Sequence, residues 1–149
     1  MTDQLTSPWG ITSLPDGRLL ITQKGGQVRI VSANGVLGGV ITGLPVVNAS
    51  GQGGLLGLCI DPQFESNRLV YWIFSEPVAD GSLTSVARGR LSADEIRIEN
   101  AAVIYRATPS HTGSAHYGGR ILFDLTGHLV VSTGERSDMV TRTQSQLLS

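Results

Sequence analysis

One feature of the sequence constrains the fold most: an apolar segment, a tight turn and a second apolar segment recur in this order three times. The turns lie about 50 to 60 residues apart, and recurrence at such a spacing is typical of repeat architectures. A repeat of this length holds about four short strands, the size of one β-propeller blade. A β-sandwich with coincidental spacing is the alternative. The turn positions are Gly17, Asn67 and Gly127, and a leucine follows two residues after each.

Short strands joined by turns account for most of the remaining sequence. Glycine supplies 19 of the 149 residues, about twice its usual share of about 7%, and the apolar runs are short and rich in β-branched residues. A helical period is indicated only in the last ten residues. We therefore predict an all-β chain. The predicted strands are Leu19–Thr22, Val28–Val31, Leu55–Ile60, Leu69–Phe74, Val86–Leu91, Ala102–Tyr105, Arg120–Phe123 and Leu129–Ser132.

The length of the chain limits how much of a propeller it builds. Residues 1–149 accommodate about two to three blades, whereas propellers close with about four or more. We expect a partial β-propeller over residues 1–149. Its missing C-terminal blades would come from a longer chain, from another polypeptide or from self-association.

Charge and hydropathy narrow the class of partner. A formal net charge of −1 gives no reason to expect nucleic acid or an anionic membrane surface. No apolar run is long enough for membrane insertion, and no signal peptide is recognisable at the N-terminus. The single cysteine, Cys59, has apolar neighbours and is expected to be a small buried hydrophobe. A small neutral molecule is the expected partner.

His116 is the histidine whose setting best suits a functional site. It lies between Gly113-Ser114-Ala115 and Tyr117-Gly118-Gly119, and flanking glycines let another molecule approach the backbone closely. An imidazole with an unperturbed pKa near about 6.5 is well suited to accept a proton. The local sequence alone leaves a structural histidine open. His111 and His128 lie in polar loops and are expected at the surface.

Gln52 is the second candidate, in the glycine-rich segment Ser50–Gly57. The segment lacks the lysine and hydroxyl of a P-loop and the spacing of a dinucleotide fingerprint. An amide that both donates and accepts hydrogen bonds suits a planar, carbonyl-bearing ligand. A glutamine that merely stabilises a turn is the equal alternative.

Other polar and aromatic residues have ordinary structural explanations. No cluster has the spacing of metal ligands, and no Ser/His/Asp order is evident. Carboxylates at strand ends are expected to accept turn hydrogen bonds, and the tryptophans are expected between blades. The carboxylates are Asp61, Asp124 and Glu135, and the tryptophans are Trp9 and Trp72.

Several short motifs, taken in order, closely resemble one family across nearly the whole chain: the glucose/sorbosone dehydrogenases, soluble aldose sugar dehydrogenases that depend on pyrroloquinoline quinone (PQQ). The resemblance rests on six motifs in the order and approximate spacing of the family. They are Pro8-Trp9-Gly10 with Leu14-Pro15-Asp16-Gly17, Leu20-Ile21-Thr22 with Gly26-Gln27-Val28-Arg29, Gly51-Gln52-Gly53-Gly54-Leu55-Leu56, Asp61-Pro62-Gln63-Phe64, His116-Tyr117-Gly118-Gly119-Arg120 and Gly134-Glu135-Arg136.

This resemblance implies a six-bladed propeller, commonly periplasmic or secreted, that binds PQQ and calcium at its axial face. The implied reaction oxidises the C1 hydroxyl of an aldose to the lactone, with electrons passing to an external acceptor. His116 matches the base that takes the hydroxyl proton while hydride passes to the quinone. Gln52 matches a residue that contacts PQQ. The cofactor carries the redox chemistry, and the protein orients the sugar and supplies the base.

Two departures from the family pattern are expected to matter. Ala115 stands where relatives often carry Asp or Asn, so a neighbour that would orient the imidazole is missing. The calcium ligands and further cofactor contacts are expected in later blades. The alternatives are a non-catalytic propeller module that binds a protein or glycan, and an inactive truncated fragment.

Overall fold

The computed structural model describes residues 3–143, and its regular secondary structure is almost entirely antiparallel strand. The helical elements of this part of the chain are single turns. The all-β prediction is therefore confirmed. The strands are β1 (Pro8–Ser13), β2 (Leu19–Gln23), β3 (Gln27–Val31), β4 (Leu37–Ile41), β5 (Leu55–Ile60), β6 (Leu69–Val78), β7 (Gly81–Leu91), β8 (Ile98–His111), β9 (Gly118–Phe123) and β10 (Leu129–Thr133), and the helices are α1 (Phe64–Asn67) and α2 (Met139–Arg142).

The strands form three sheets in chain order. The first sheet is β1-β2-β3-β4, the second is β5-β6-β7-β8, and β9 pairs with β10 as a two-stranded hairpin. Each four-stranded sheet is an up-and-down meander, the arrangement of a propeller blade. The described residues thus hold two blades and the first hairpin of a third, as the repeat predicts.

Alternating side chains of the second sheet explain why its strands are apolar on both faces. Trp72 and Phe74 of β6 join a core cluster with residues of the first sheet. Tyr71 and Ile73, which alternate with them, pack in a second cluster with Ile121 of the β9–β10 hairpin. Because successive side chains of a strand point to opposite faces, β6 connects both neighbouring sheets. The second blade is therefore covered on both sides.

The three recurring turns share one hydrogen-bond pattern, with an insertion in the middle block. Leu14 N–H donates to Arg18 O at 2.8 Å, and Asp124 N–H donates to His128 O at 2.9 Å. In the middle block Asp61 N–H donates to Leu69 O at 2.9 Å, but the segment between them contains α1. The left-handed residue there is Arg68 instead of a glycine. The sequence period is thus a true structural period.

Two expectations about individual elements are corrected. The edge strand β4 was not expected, because Gly38 and Gly39 weaken its strand pattern. Trp9 was expected between blades with Trp72, but its side chain is 50% exposed whereas Trp72 is 1% exposed. Trp9 lines an open cavity with Ile11 of the first sheet and a second cavity with Gly57 of β5 and Gly118 of β9. The helical period expected in the last ten residues falls mainly outside the described residues.

The first strands of the three sheets lie side by side, and glycine makes this possible. β1 contacts β5, and β5 contacts β9. A Cβ atom on Gly57 of β5 would collide with the carbonyl oxygen of Gly119 in β9. The loops that lead into β5 and β9 therefore meet at one end of the sheets, and these loops carry Gln52 and His116.

Candidate active site

The β9–β10 hairpin brings His116 and Glu135 together. Gly118 and Thr133 are paired across the hairpin, and His116 lies two residues before Gly118 while Glu135 lies two residues after Thr133. In an antiparallel pair, residues at equal distances beyond a paired position leave the sheet at the same end. The hairpin register therefore places an imidazole beside a carboxylate.

The imidazole of His116 is held at one ring nitrogen. Nδ1 of His116 lies 2.8 Å from both Oε1 and Oε2 of Glu135, and Nε2 has no partner among the described residues. Arg142 Nε lies 3.9 Å from Glu135 Oε1. The hydrogen bond from His116 lowers the pKa of the Glu135 carboxyl below its usual value, so the carboxylate stays ionised. This contact favours the tautomer with a proton on Nδ1 and a free lone pair on Nε2.

The loop that carries His116 has a strained backbone. His116 has a φ of 49°, in the left-handed region that a non-glycine residue rarely adopts. Its carbonyl oxygen occupies the space that a Cβ atom on Gly134 would need. Such strain persists only when the surrounding structure fixes the conformation. Glycine at position 134 is therefore required for the approach of the two chain segments around the histidine.

Gln52 joins the site through both its backbone and its side chain. Its N–H donates to Ser114 O at 2.7 Å, and its Oε1 accepts a hydrogen bond of 2.8 Å from His116 N. A Cβ atom on Gly51 would collide with Ser114. The two residues singled out from the sequence, 64 positions apart, are thus hydrogen-bonded neighbours. Lys24 supports the same loop, because its Nζ donates to Gly51 O at 2.6 Å.

A match to a family model covers residues 5–149, and the model describes the glucose/sorbosone dehydrogenases. The chain belongs to this glucose/sorbosone dehydrogenase family. It is 36% identical over 143 residues to the aldose sugar dehydrogenase YliI of Escherichia coli K12, a match that covers 95% of this chain and 38% of that protein. The chain therefore spans about two fifths of the length of this relative.

Solved structures of family members show the same architecture. The soluble aldose sugar dehydrogenase of Escherichia coli in its apo form has a TM-score of 0.87 and 35% identity, covering 92% of this chain and 40% of that chain. The PQQ-bound aldose sugar dehydrogenase of Streptomyces coelicolor has a TM-score of 0.80 and 30% identity, covering 91% of this chain and 40% of that one. The partial propeller predicted from the repeat is therefore the fold of this glucose/sorbosone dehydrogenase chain.

Glu135 is the site residue that sequence reasoning missed. A carboxylate in a turn was the expectation, and that explanation is correct for Asp124, whose Oδ1 accepts from Thr126 N and His128 N, each at 2.8 Å. Glu135 instead reaches across the hairpin to His116. Glu135 thus orients the imidazole, which the side chain of Ala115 cannot do. The hairpin register, read from the predicted strands, was the signal that would have found it.

The other two histidines differ from one another. His128 is at the surface as expected, with a side chain that is 80% exposed. His111 lies at the end of β8 with a side chain that is 28% exposed, and its Nε2 lies 2.8 Å from Asp138 Oδ2 while its Nδ1 accepts from Gly113 N at 2.8 Å. Both ring nitrogens of His111 are therefore engaged, which leaves no lone pair for a substrate.

Cys59 is not available as a nucleophile. It is partly buried against the second core cluster. Burial, with a smaller contribution from the charge of Asp61, raises the pKa of the Cys59 thiol to about 12. The thiolate that would react is scarce near neutral pH, which agrees with the expected structural role.

Residues 3–143 contain neither a cluster of metal-ligating side chains nor a membrane-spanning helix. In this part of the chain no three His, Cys, Asp or Glu side chains converge to hold a metal ion. None of its helices is long and apolar enough to cross a membrane.

Proposed function

We propose that this chain forms the base-bearing part of a PQQ-dependent sugar dehydrogenase that oxidises the C1 hydroxyl of an aldose to the lactone. One observation carries the proposal: the His116 imidazole is fixed at Nδ1 by Glu135 while Nε2 has no partner among the described residues. The His116 side chain is 47% exposed, so a substrate hydroxyl can reach Nε2. Gln52 accepts a hydrogen bond from the backbone N–H of His116 and therefore lies beside the same site.

The residues present fit a quinone that carries carbonyl and carboxylate oxygens. Gln52 uses Oε1 to accept from His116, and its Nε2 amide has no acceptor among the described residues. A free amide donor suits the oxygen of a planar, carbonyl-bearing ligand. Glycines at positions 51, 53 and 54 make room for the chain's own atoms at Ser114, Asn48 and Lys24, which fixes the loop that presents this amide. Gln52 is therefore the residue that would hold PQQ in this part of the chain.

The histidine and the carboxylate divide the proton chemistry between them. When bound, PQQ supplies the acceptor for the hydride that leaves C1 of the sugar. His116 Nε2 accepts the proton of the C1 hydroxyl, so that the carbon–oxygen bond gains double-bond character as the hydride departs. Glu135 holds Nδ1–H and stabilises the imidazolium that results. The contact between Nδ1 and Glu135 holds the ring in this position.

Three further parts of the proposal rest on the family alone. They are a requirement for calcium, export from the cytoplasm and transfer of the electrons to an external acceptor. Residues 3–143 hold no cluster of three His, Cys, Asp or Glu side chains for a metal ion, and no step of the mechanism involves calcium here. We propose a periplasmic or secreted location, which fractionation of the source cells would test. The electrons would pass to an external acceptor, for which a redox dye substitutes in an assay.

A segment exchange tests the function. The segment of the Escherichia coli aldose sugar dehydrogenase that matches this chain is replaced by residues 5–149, and the product is called the exchanged dehydrogenase. With PQQ, calcium, an aldose and a dye acceptor, we expect turnover that depends on both PQQ and the aldose. An exchanged dehydrogenase that folds and binds PQQ but does not oxidise aldoses would contradict the proposal.

A non-catalytic module that binds a protein or glycan is the second candidate, suggested by the departure from the family pattern at Ala115, although Glu135 orients the imidazole in its place. Difference absorbance on adding PQQ to the chain separates the two functions. We expect a saturable change that weakens in Gln52→Ala and persists in Gln63→Ala, a matched control at an exposed glutamine before α1 whose side chain makes no capping hydrogen bond. The absence of any change with the unmodified chain would support the binding module.

A further inference from the structure

Arg136 is a buried cation that the proposed mechanism does not use. The residue is 6% exposed, and burial lowers the pKa of its guanidinium below the usual value. Among the described residues no carboxylate forms an ion pair with it. A buried charge without a counterion is costly unless its donors are satisfied, so the placement of these donors must have a structural or functional reason.

The guanidinium of Arg136 binds carbonyl groups on the N-terminal side of His116. Its Nη2 donates to Gly113 O at 2.5 Å, and its Nε donates to Ala115 O at 3.1 Å. The backbone N–H of Arg136 donates to the carbonyl oxygen of His116 at 3.1 Å. One residue therefore holds three carbonyls of the loop that carries the histidine.

The same side chain anchors that loop to the second sheet. Nη1 of Arg136 donates to Ser82 O at 2.8 Å, and Nη2 lies 3.3 Å from Ser82 Oγ. The guanidinium carbon lies 3.7 Å from the centre of the Tyr117 ring, whose hydroxyl contacts Ser82 Oγ at 2.7 Å. Ser82 lies in β7, which is paired on both sides. The loop is thus fixed to a rigid element.

We propose that Arg136 is a positioning residue: by clamping residues 113–117 to β7, it holds the His116 imidazole on Glu135. Arg136 directly follows Glu135 in the chain, so the clamp fixes both members of the pair. Its importance for catalysis rests on the proposed function. The planar fork of five N–H donors reaches all these acceptors at once, which a lysine ammonium cannot do.

The test compares the unmodified chain with Arg136→Lys and Arg136→Met, without cofactor or sugar. Long-range ¹H–¹⁵N correlation NMR of the His116 ring reports the ratio of the Nδ1–H to the Nε2–H tautomer. We expect Nδ1–H to predominate in the unmodified chain. In Arg136→Lys the ratio should fall about tenfold, the effect of losing one hydrogen bond from a charged group. Arg106→Lys, which alters an exposed ion pair with Glu76, should leave it unchanged.

A purely structural role would give a different result. Arg136→Lys would then unfold at lower urea concentration, but its folded molecules would keep the unmodified tautomer ratio, and this outcome would overturn the proposal. If both variants fail to fold, hydrogen exchange of the Arg136 Nε–H with solvent is measured in the unmodified chain. Protection from exchange supports the proposed clamp, and free exchange overturns it. If the unmodified chain itself lacks the Nδ1–H tautomer, the His116–Glu135 pair of the proposed function fails instead.

Discussion

His116 combines a left-handed backbone with a side chain that is held at a single ring nitrogen. Its glycine-rich surroundings and those of Gln52 made both residues predictable from the sequence, because glycine at fixed positions signals close approach. Their mutual hydrogen bond was not predictable, since it depends on how two sheets pack. Glu135 was missed because a carboxylate after a strand is usually a turn residue. At this scale the sequence indicates which residues can do chemistry, whereas a contact can be predicted from it only where a hairpin register fixes the two positions, as for His116 and Glu135.

Replacing Glu135 tests whether its carboxylate stabilises the imidazolium that forms when His116 accepts the substrate proton. In the exchanged dehydrogenase, Glu135→Gln can still accept from Nδ1–H but cannot stabilise the imidazolium, so we expect kcat to fall about a hundredfold. KM for the aldose and PQQ binding should stay close to those of the parent, because Glu135 does not face the substrate. Steady-state kinetics measure this split. A raised KM with unchanged kcat would remove Glu135 from the proton chemistry.

The pH dependence of stability provides a second test at the residue scale. Hydrogen bonds from His116 and His111 lower the pKa values of Glu135 and Asp138 below their usual 4.5 and 3.8. A carboxyl whose pKa is lowered on folding stabilises the protein above its unfolded pKa, and this stability is lost as pH falls through the folded pKa. We expect the free energy of unfolding, from urea titrations, to decline below about pH 4.5. Glu135→Gln should decline less steeply; an identical slope would contradict the assignment.

The turns between strands show what can be predicted at the scale of elements. The equivalence of Gly17 and Gly127 is confirmed, because both have left-handed φ angles of 84° and 87° in turns with the same hydrogen bonds. The third turn position was displaced by one residue, from Asn67 to Arg68, since a helical turn is inserted there. The edge strand β4 escaped prediction for a different reason. Its two glycines remove the side-chain alternation on which strand prediction depends.

A carboxylate in the β7–β8 turn connects the first two sheets. Glu95 accepts from Arg18, which precedes β2, at 2.5 and 2.8 Å, and from Arg68, which precedes β6, at 3.2 Å. We expect Glu95→Gln to lower the free energy of unfolding by about 1–2 kcal/mol, measured by urea denaturation. Glu99→Gln, which breaks only exposed pairs, should cost less than about 1 kcal/mol. Equal effects would show that Glu95 does not join the sheets.

At the scale of the whole molecule, the repeat in the sequence predicted blades in chain order, and the successive sheets and the structures of relatives exclude the β-sandwich that the repeat alone left open. The alternation along β6, with Trp72 facing the first sheet and Tyr71 facing the hairpin, explains why this works. A strand buried on both faces needs a neighbour on each side, and successive sheets supply them. The exposure of Trp9 was not predictable in this way, because the pattern of a single strand does not tell which of its faces is covered.

The central claim is that His116 is the base of a sugar dehydrogenase, and one comparison tests it most directly. His116→Ala and His128→Ala are measured side by side in the exchanged dehydrogenase with saturating PQQ and aldose. We predict that kcat falls at least about a thousandfold in His116→Ala, the contribution expected of a general base, and that PQQ binding is retained. His128→Ala should keep the parent kcat. Undiminished aldose oxidation in His116→Ala would contradict the account.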